Sequence, residues 1–196
     1  MVYDGILLGL IVGFIRAGWK NGLIALSNIQ IRYGWVFPVL LLVQFGLFFL
    51  QEKFTFFAQF NGYFYIVIYV TGISLLWLNR HQQGLGIILV GVLLNFAVML
   101  ANGGRMPVAL EAAAVLDPIY TEMLKSGDAV TKHFLMNEST RLSFLGDIIP
   151  LGPPYPRSQA ISIGDVVINV GVFLYLFQLL SKPKKDESAA LSEQAV

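Results

Sequence analysis

The sequence predicts an all-α fold, a polytopic membrane helix bundle of about five transmembrane helices with short amphipathic helices on its outer side. Three observations carry that expectation. Hydrophobic residues make up 56% of the 196-residue chain and charged residues only 13%, roughly half the charged share of an average soluble domain. The apolar residues gather into five runs that read as spans, and the mean hydropathy is +0.69. Basic residues are shared unevenly among the connecting loops, as a defined membrane orientation requires. Residues 1–181 read as one integral membrane domain and 182–196 as a disordered cytoplasmic tail.

The first run, Val2 to Ile15, follows no basic segment and lacks a small-residue cleavage site. It reads as a retained helix and not as a signal peptide. Gly5, Gly9 and Gly13 recur every fourth residue along it, a small-residue ridge on which another helix backbone can approach closely. Arg16, Lys20 and Arg32 bracket a short interfacial helix over Gly22 to Ile31. The second span is Val36 to Leu50, with Pro38 in its first turn, where a missing N–H costs little. The third is Tyr63 to Leu78 and the fourth Gly84 to Ala101. Tyr33, Trp35, Tyr63, Tyr65 and Trp77 fall near span ends, as interfacial aromatic belts do.

Residues 102–161 form a long outer loop. Pro107 to Leu116 and Pro118 to Lys125 read as short helices with proline near the first turn. Ser126-Gly127-Asp128 breaks the pattern, and Ala129 to Leu142 reads as a third helix. Ile163 to Leu180 is the last span, followed by Lys182, Lys184 and Lys185. The long loop holds five basic residues against six acidic ones, whereas the first loop, Arg80 and the tail are basic. The N-terminus is therefore expected outside and the C-terminus in the cytoplasm.

Polar residues at the outer end mark the candidate site. Asp147 and Asp165 each follow a glycine, and the turn Pro153-Pro154-Tyr155-Pro156 lies between them, able to fold the segment back on itself. Asp165 opens the last span, and Asn169 lies on its face one turn deeper. Gly84, Gly91, Asn95 and Asn102 share one stripe of the fourth span. Ser162 and Asp165 also have the spacing of a capping box, so helix capping alone accounts for them equally well. Asn95 and Asn169 are as readily interhelical glue, and Asn102 to Arg105 a helix end with a left-handed glycine. Arg105, a basic residue on the outer side, is the expected partner of one aspartate.

At NGGRMP (Asn102 to Pro107), HFLMNESTRLSFLGDIIPL (His133 to Leu151) and SIGDVVINVG (Ser162 to Gly171), the chain resembles a family of bacterial polytopic membrane proteins known as a domain of unknown function. That resemblance covers nearly the whole chain and implies a multi-pass protein of the bacterial plasma membrane, with its site at these motifs. A fainter similarity is to lipoprotein signal peptidases, which are membrane aspartyl proteases. Leu145-Gly146-Asp147-Ile148 and Ser162-Ile163-Gly164-Asp165 stand where that family carries its two catalytic aspartates, and Asn102 and Arg105 near its upstream Asn and Arg. The resemblance implies catalytic roles for Asp147 and Asp165. The chain departs from it in having Ser162 for an expected Asn, about forty extra residues before Asp147, and five expected spans instead of four.

Other classes are disfavoured. A net charge of +1 gives no basis for nucleic-acid binding. With no cysteine, and with His81 and His133 far apart, no metal centre is expected, and no cofactor motif is present. The expected partners are the lipid bilayer, other membrane-protein subunits, or a lipid or peptide ligand. Three functions remain open: a paired-aspartate site of unknown biochemical role, an accessory or assembly subunit of a larger complex, and a peptidase.

Overall fold

The computed structural model describes residues 2–126 and 132–181, so Gly127, Asp128 and the 182–196 tail lie outside the described residues. The chain is mostly helical. In order it forms α1 (Val2–Ala17), α2 (Trp19–Ser27), α3 (Val36–Lys53), α4 (Thr55–Gln59), α5 (Asn61–Asn79) and α6 (Leu85–Ala101). The outer segment follows with β1 (Met106–Val108), α7 (Leu110–Ala113), α8 (Pro118–Ser126), β2 (His133–Leu135), a 3-10 turn at Ser143–Leu145, β3 (Ile149–Leu151) and β4 (Gln159–Ile161). The last described helix is α9 (Ile163–Ser181).

The long helices stand in a row, with α9 between α1 and α6, α5 beyond α6, and α3 beyond α5. Glycine decides both contacts of α9. A methyl group on Gly9 would sit 2.9 Å from Leu176 Cβ and 3.1 Å from the Phe173 carbonyl. Gly5 lies against Asn169 and Gly13 against Leu180, so the expected ridge is the α1–α9 seam. On the other side, a methyl on Gly91 would be 2.6 Å from the Gly164 carbonyl, and one on Gly171 2.8 Å from the Ile88 nitrogen. Two backbones this close leave no room for side chains between them.

The bundle has two unlike ends. At one, Asn79 clamps the chain before α3, accepting from Arg32 N–H at 2.8 Å and donating to Arg32 C=O at 3.1 Å, while Gln82 donates to Gln30 C=O at 2.6 Å. Arg16, Lys20, Arg32 and Arg80 all lie at this end. At the other end Asn61 bonds Gln51, Tyr155 bonds Asp4, and the outer segment is gathered.

That segment is not the run of helices expected. Pro107 to Leu116 begins as β1 and yields only the single turn of α7, and the described part of Ala129 to Leu142 contains β2 and no α-helix. Pairing between distant segments replaces local helical bonds. Met106 N–H donates to Lys132 C=O at 2.8 Å, Met136 N–H to Val108 C=O at 2.9 Å, and Asp147 N–H to Pro107 C=O at 2.9 Å. Strand β1 is thus central, paired in parallel with β2 (Met106 opposite His133) and bridged at Val108 to Asp147. Strands β3 and β4 form an antiparallel hairpin with Ile149 opposite Ile161.

Two of the five expected spans, Asn61–Asn79 and Ile163–Ser181, are long and apolar enough to cross a membrane among the described residues. Val36–Gln51 and Leu85–Ala101 are shorter apolar helices.

Candidate functional site

The hairpin places the two aspartates. Because Ile149 pairs with Ile161, the residues just before β3 and just after β4 come side by side, and these are Asp147 and the Ser162–Asp165 start of α9. The Pro-rich turn between the strands does the folding back that the sequence suggests. Asp147 and Asp165 line one cavity of about 190 Å³ with Tyr69, Asn95, Lys132 and Gln159.

Asp165 is tied at both oxygens. Ser162 N–H donates to Oδ2 at 3.0 Å and Asn95 Nδ2 to Oδ1 at 2.9 Å. In return the Ser162 hydroxyl accepts from Asp165 N–H at 3.0 Å and donates to Asn95 Oδ1 at 2.8 Å. This is the capping box, closed into a ring by Asn95. Ser162 is fully buried and Asn95 is 3% exposed, so the ring satisfies groups that would be costly to leave unpaired. It also fixes α9 against α6 at the depth of the cavity.

Asp147 is held by its backbone, bridged to β1, while its side chain is 5% exposed and lies in the cavity. Its Oδ2 is 3.7 Å from His133 Nε2. Burial first, and the Asp165 carboxyl second, push the Asp147 carboxyl up to about 7, with the Lys132 ammonium opposing them. Burial and the neighbouring Lys132 and Arg105 hold His133 down at about 3, so its ring is neutral at physiological pH. The Tyr120 hydroxyl is 2.8 Å from His133 Nδ1. When that hydroxyl donates, the ring proton sits on Nε2 and faces Asp147. Lys132 is raised, by the Tyr69 phenol first and then, against the cost of burial, by Asp147 and Asp165. Its ammonium lies 5.6 Å from the Tyr69 ring centroid.

The other expected site residues have different neighbours. Arg105 donates to His133 C=O at 2.7 Å, lies over the Phe134 ring and lines a neighbouring groove with Met123 and Asn137. The cation facing both aspartates is Lys132, not Arg105. Asn102 leaves the stripe shared with Asn95, donating to Val98 and Arg141 C=O and accepting from Arg141 N–H at 3.0 Å, which pins the loop before the 3-10 turn. Asn169 Oδ1 accepts from Gly5 N–H at 2.6 Å, satisfying a donor at the start of α1. It belongs to the α1–α9 seam and not to the cavity. Sequence reasoning passed over Tyr69, Tyr120, Lys132 and Gln159 and weighed His133 only as a metal ligand; strand pairing is what brings Lys132, His133 and Gln159 to the cavity of Asp147.

Residues 28–177, which include every residue lining the cavity, match the model of a family of unknown function (DUF5317). The chain belongs to this family. An uncharacterized protein of Thermotoga maritima is 34% identical over 97 residues, 50% of this chain and 52% of the relative. The chain spans about half the length of that curated relative. No solved structure matches it. The DUF5317 match therefore assigns a family without assigning a reaction, and what the cavity does must be argued from its chemistry.

Proposed function

We propose that this protein is a multi-pass membrane protein of the plasma membrane carrying an acid–base site, built on Asp147 and Asp165, at its outer boundary. The observation that carries the reading is one cavity lined by both aspartates and a lysine, at the bundle end opposite the basic loops. Exposure supports the membrane. Only 28% and 17% of the apolar windows in α5 and α9 are buried, whereas a helix at the core of a soluble protein would be mostly buried. Leu42 of α3 and Val67 of α5 are 69% and 63% exposed, as lipid-facing residues should be. With Arg16, Lys20, Arg32 and Arg80 at the inner end, the cavity faces outward.

In this site Asp147, titrating near neutrality, is the group that takes up and gives back a proton. The negative charge of Asp165, tied at both oxygens, strengthens the hold of Asp147 on that proton, and Lys132 opposes it. A membrane aspartyl peptidase is the second reading, favoured by the raised Asp147 beside a second carboxyl, since such enzymes need two carboxyls sharing a proton. Its demand is stricter: Asp147→Asn and Asp165→Asn would each have to abolish peptide cleavage. An accessory subunit is the reading that stands if neither change alters any activity.

The cysteine-free chain makes topology directly testable. Glu138→Cys and His81→Cys each place one thiol at an exposed position, at opposite ends of the bundle. In intact cells a membrane-impermeant maleimide should label the first and spare the second until the cells are opened. Labelling of His81→Cys in intact cells would reverse the orientation, and labelling of neither would remove the outward-facing site.

A further inference from the structure

A second cavity, of about 300 Å³, adjoins the first. It is lined by Leu41, Phe45 and Phe48 of α3 and by Tyr65 of α5, and it shares Lys132 and His133 with the aspartate cavity. Leu41, Phe45 and Phe48 are each about half exposed, so this cavity opens sideways from the bundle, between α3 and α5. Its volume is at the lower end of the range for ligand sites, enough for part of one apolar chain. A molecule entering from the side meets apolar wall first, then the Lys132 ammonium, then Asp147 and Asp165.

We infer that the two cavities together bind a phospholipid with an amine-tipped headgroup, its acyl chain along α3, its phosphate at Lys132 and its amine against Asp147 and Asp165. The inference rests on the membrane reading above and supplies its ligand. Charge order is what selects the occupant. A phospholipid carries its phosphate next to the chain and, in this class, its ammonium at the tip, which is the order of lysine and aspartates along the path. Among the described residues lining the two cavities, Lys132 is the one basic side chain besides the neutral His133, and it has no ion pair with a described carboxylate. A lipid with phosphate but no amine would satisfy Lys132 and leave the aspartates without a counter-charge. A quaternary amine would bring charge without N–H donors for the carboxyl oxygens.

The test is lipid binding by the full chain, purified in a neutral detergent at pH 8, with phosphatidylethanolamine, phosphatidylglycerol and phosphatidylcholine compared by native mass spectrometry. Phosphatidylethanolamine should bind about tenfold more tightly than either of the others, the equivalent of one charge-assisted hydrogen bond. Asp147→Asn should erase that preference. Lys132→Met should weaken all three lipids alike, with Lys132→Arg restoring them, and Leu41→Trp should block the chain and reduce all three. Equal binding of phosphatidylglycerol by the unaltered protein, a preference that survives Asp147→Asn, or no retained lipid would each overturn the inference. Because the cysteine labelling reports topology separately, loss of lipid preference with intact topology refutes the ligand and spares the membrane reading.

Discussion

Replacing Gly9 by leucine should cost this protein about 3 kcal/mol of stability, the upper part of the range for overpacking. The side chain would begin where a methyl already meets Leu176 Cβ at 2.9 Å and the Phe173 carbonyl at 3.1 Å. The second contact is backbone and cannot rotate away. Relief comes only by moving α1 off α9, which also draws Gly5 N–H away from Asn169. A melting curve in detergent reads the effect directly. If the Gly9→Leu variant melts with the parent, α1 does not pack on α9 in the folded protein.

Asp147→Asn should stabilise the protein strongly at pH 8 and markedly less at pH 5. The carboxyl has an ordinary value of 3.8 and titrates at about 7 in the fold. Between those values the folded state holds a proton that the unfolded chain has released. Its stabilising share is complete below pH 3.8 and is lost as pH rises through 7. At about 1.4 kcal/mol per tenfold change in proton affinity, the ionised form costs at most about 4 kcal/mol. Asparagine carries no such cost. His133 slopes the opposite way: held near 3, it contributes stability above 6.5 that is lost as pH falls toward 3. The two slopes oppose each other between about pH 4 and 6.5, so the parent's own pH profile conceals Asp147 and the difference between variant and parent reveals it. Equal melting shifts at both pH values would mean that Lys132 keeps the carboxylate ionised throughout. A residue that lowers stability when ionised is what a site selected for chemistry or binding would retain.

The helices and their seams were legible because their signals are periodic. Gly5, Gly9 and Gly13 recur at the helical repeat, and Gly91 and Asn95 share a face for the same reason. The capping box at Ser162 and Asp165 was readable from spacing alone, and so was the role of the Pro-rich turn. What failed lies in residues 102–161. Pro107 suggests a helix start, yet its carbonyl accepts from Asp147 N–H, forty residues away in sequence. A three-residue strand has no period to detect, and its partners here come from two separate segments. Lys132 and His133 carry no spacing signature because their chemistry is assembled by that pairing. Arg105 was chosen for charge rule and proximity, but the strand turns its guanidinium toward β2 and Phe134.

The central position of α9 has a bearing on biogenesis. Both glycine seams have the same partner, and that partner is made after α1, α6 and the whole outer segment. While the ribosome is still producing the hairpin, Gly9 and Gly91 have no backbone to pack against, and Asn95 lacks both Ser162 and Asp165. On the membrane reading proposed above, α1 therefore stays apart from the row of α3, α5 and α6 until α9 inserts between α1 and α6. Maturation is then a single late event, which closes two seams and completes the cavity together. Nascent chains arrested before Ile163 should be open to proteases at positions that the finished protein shields.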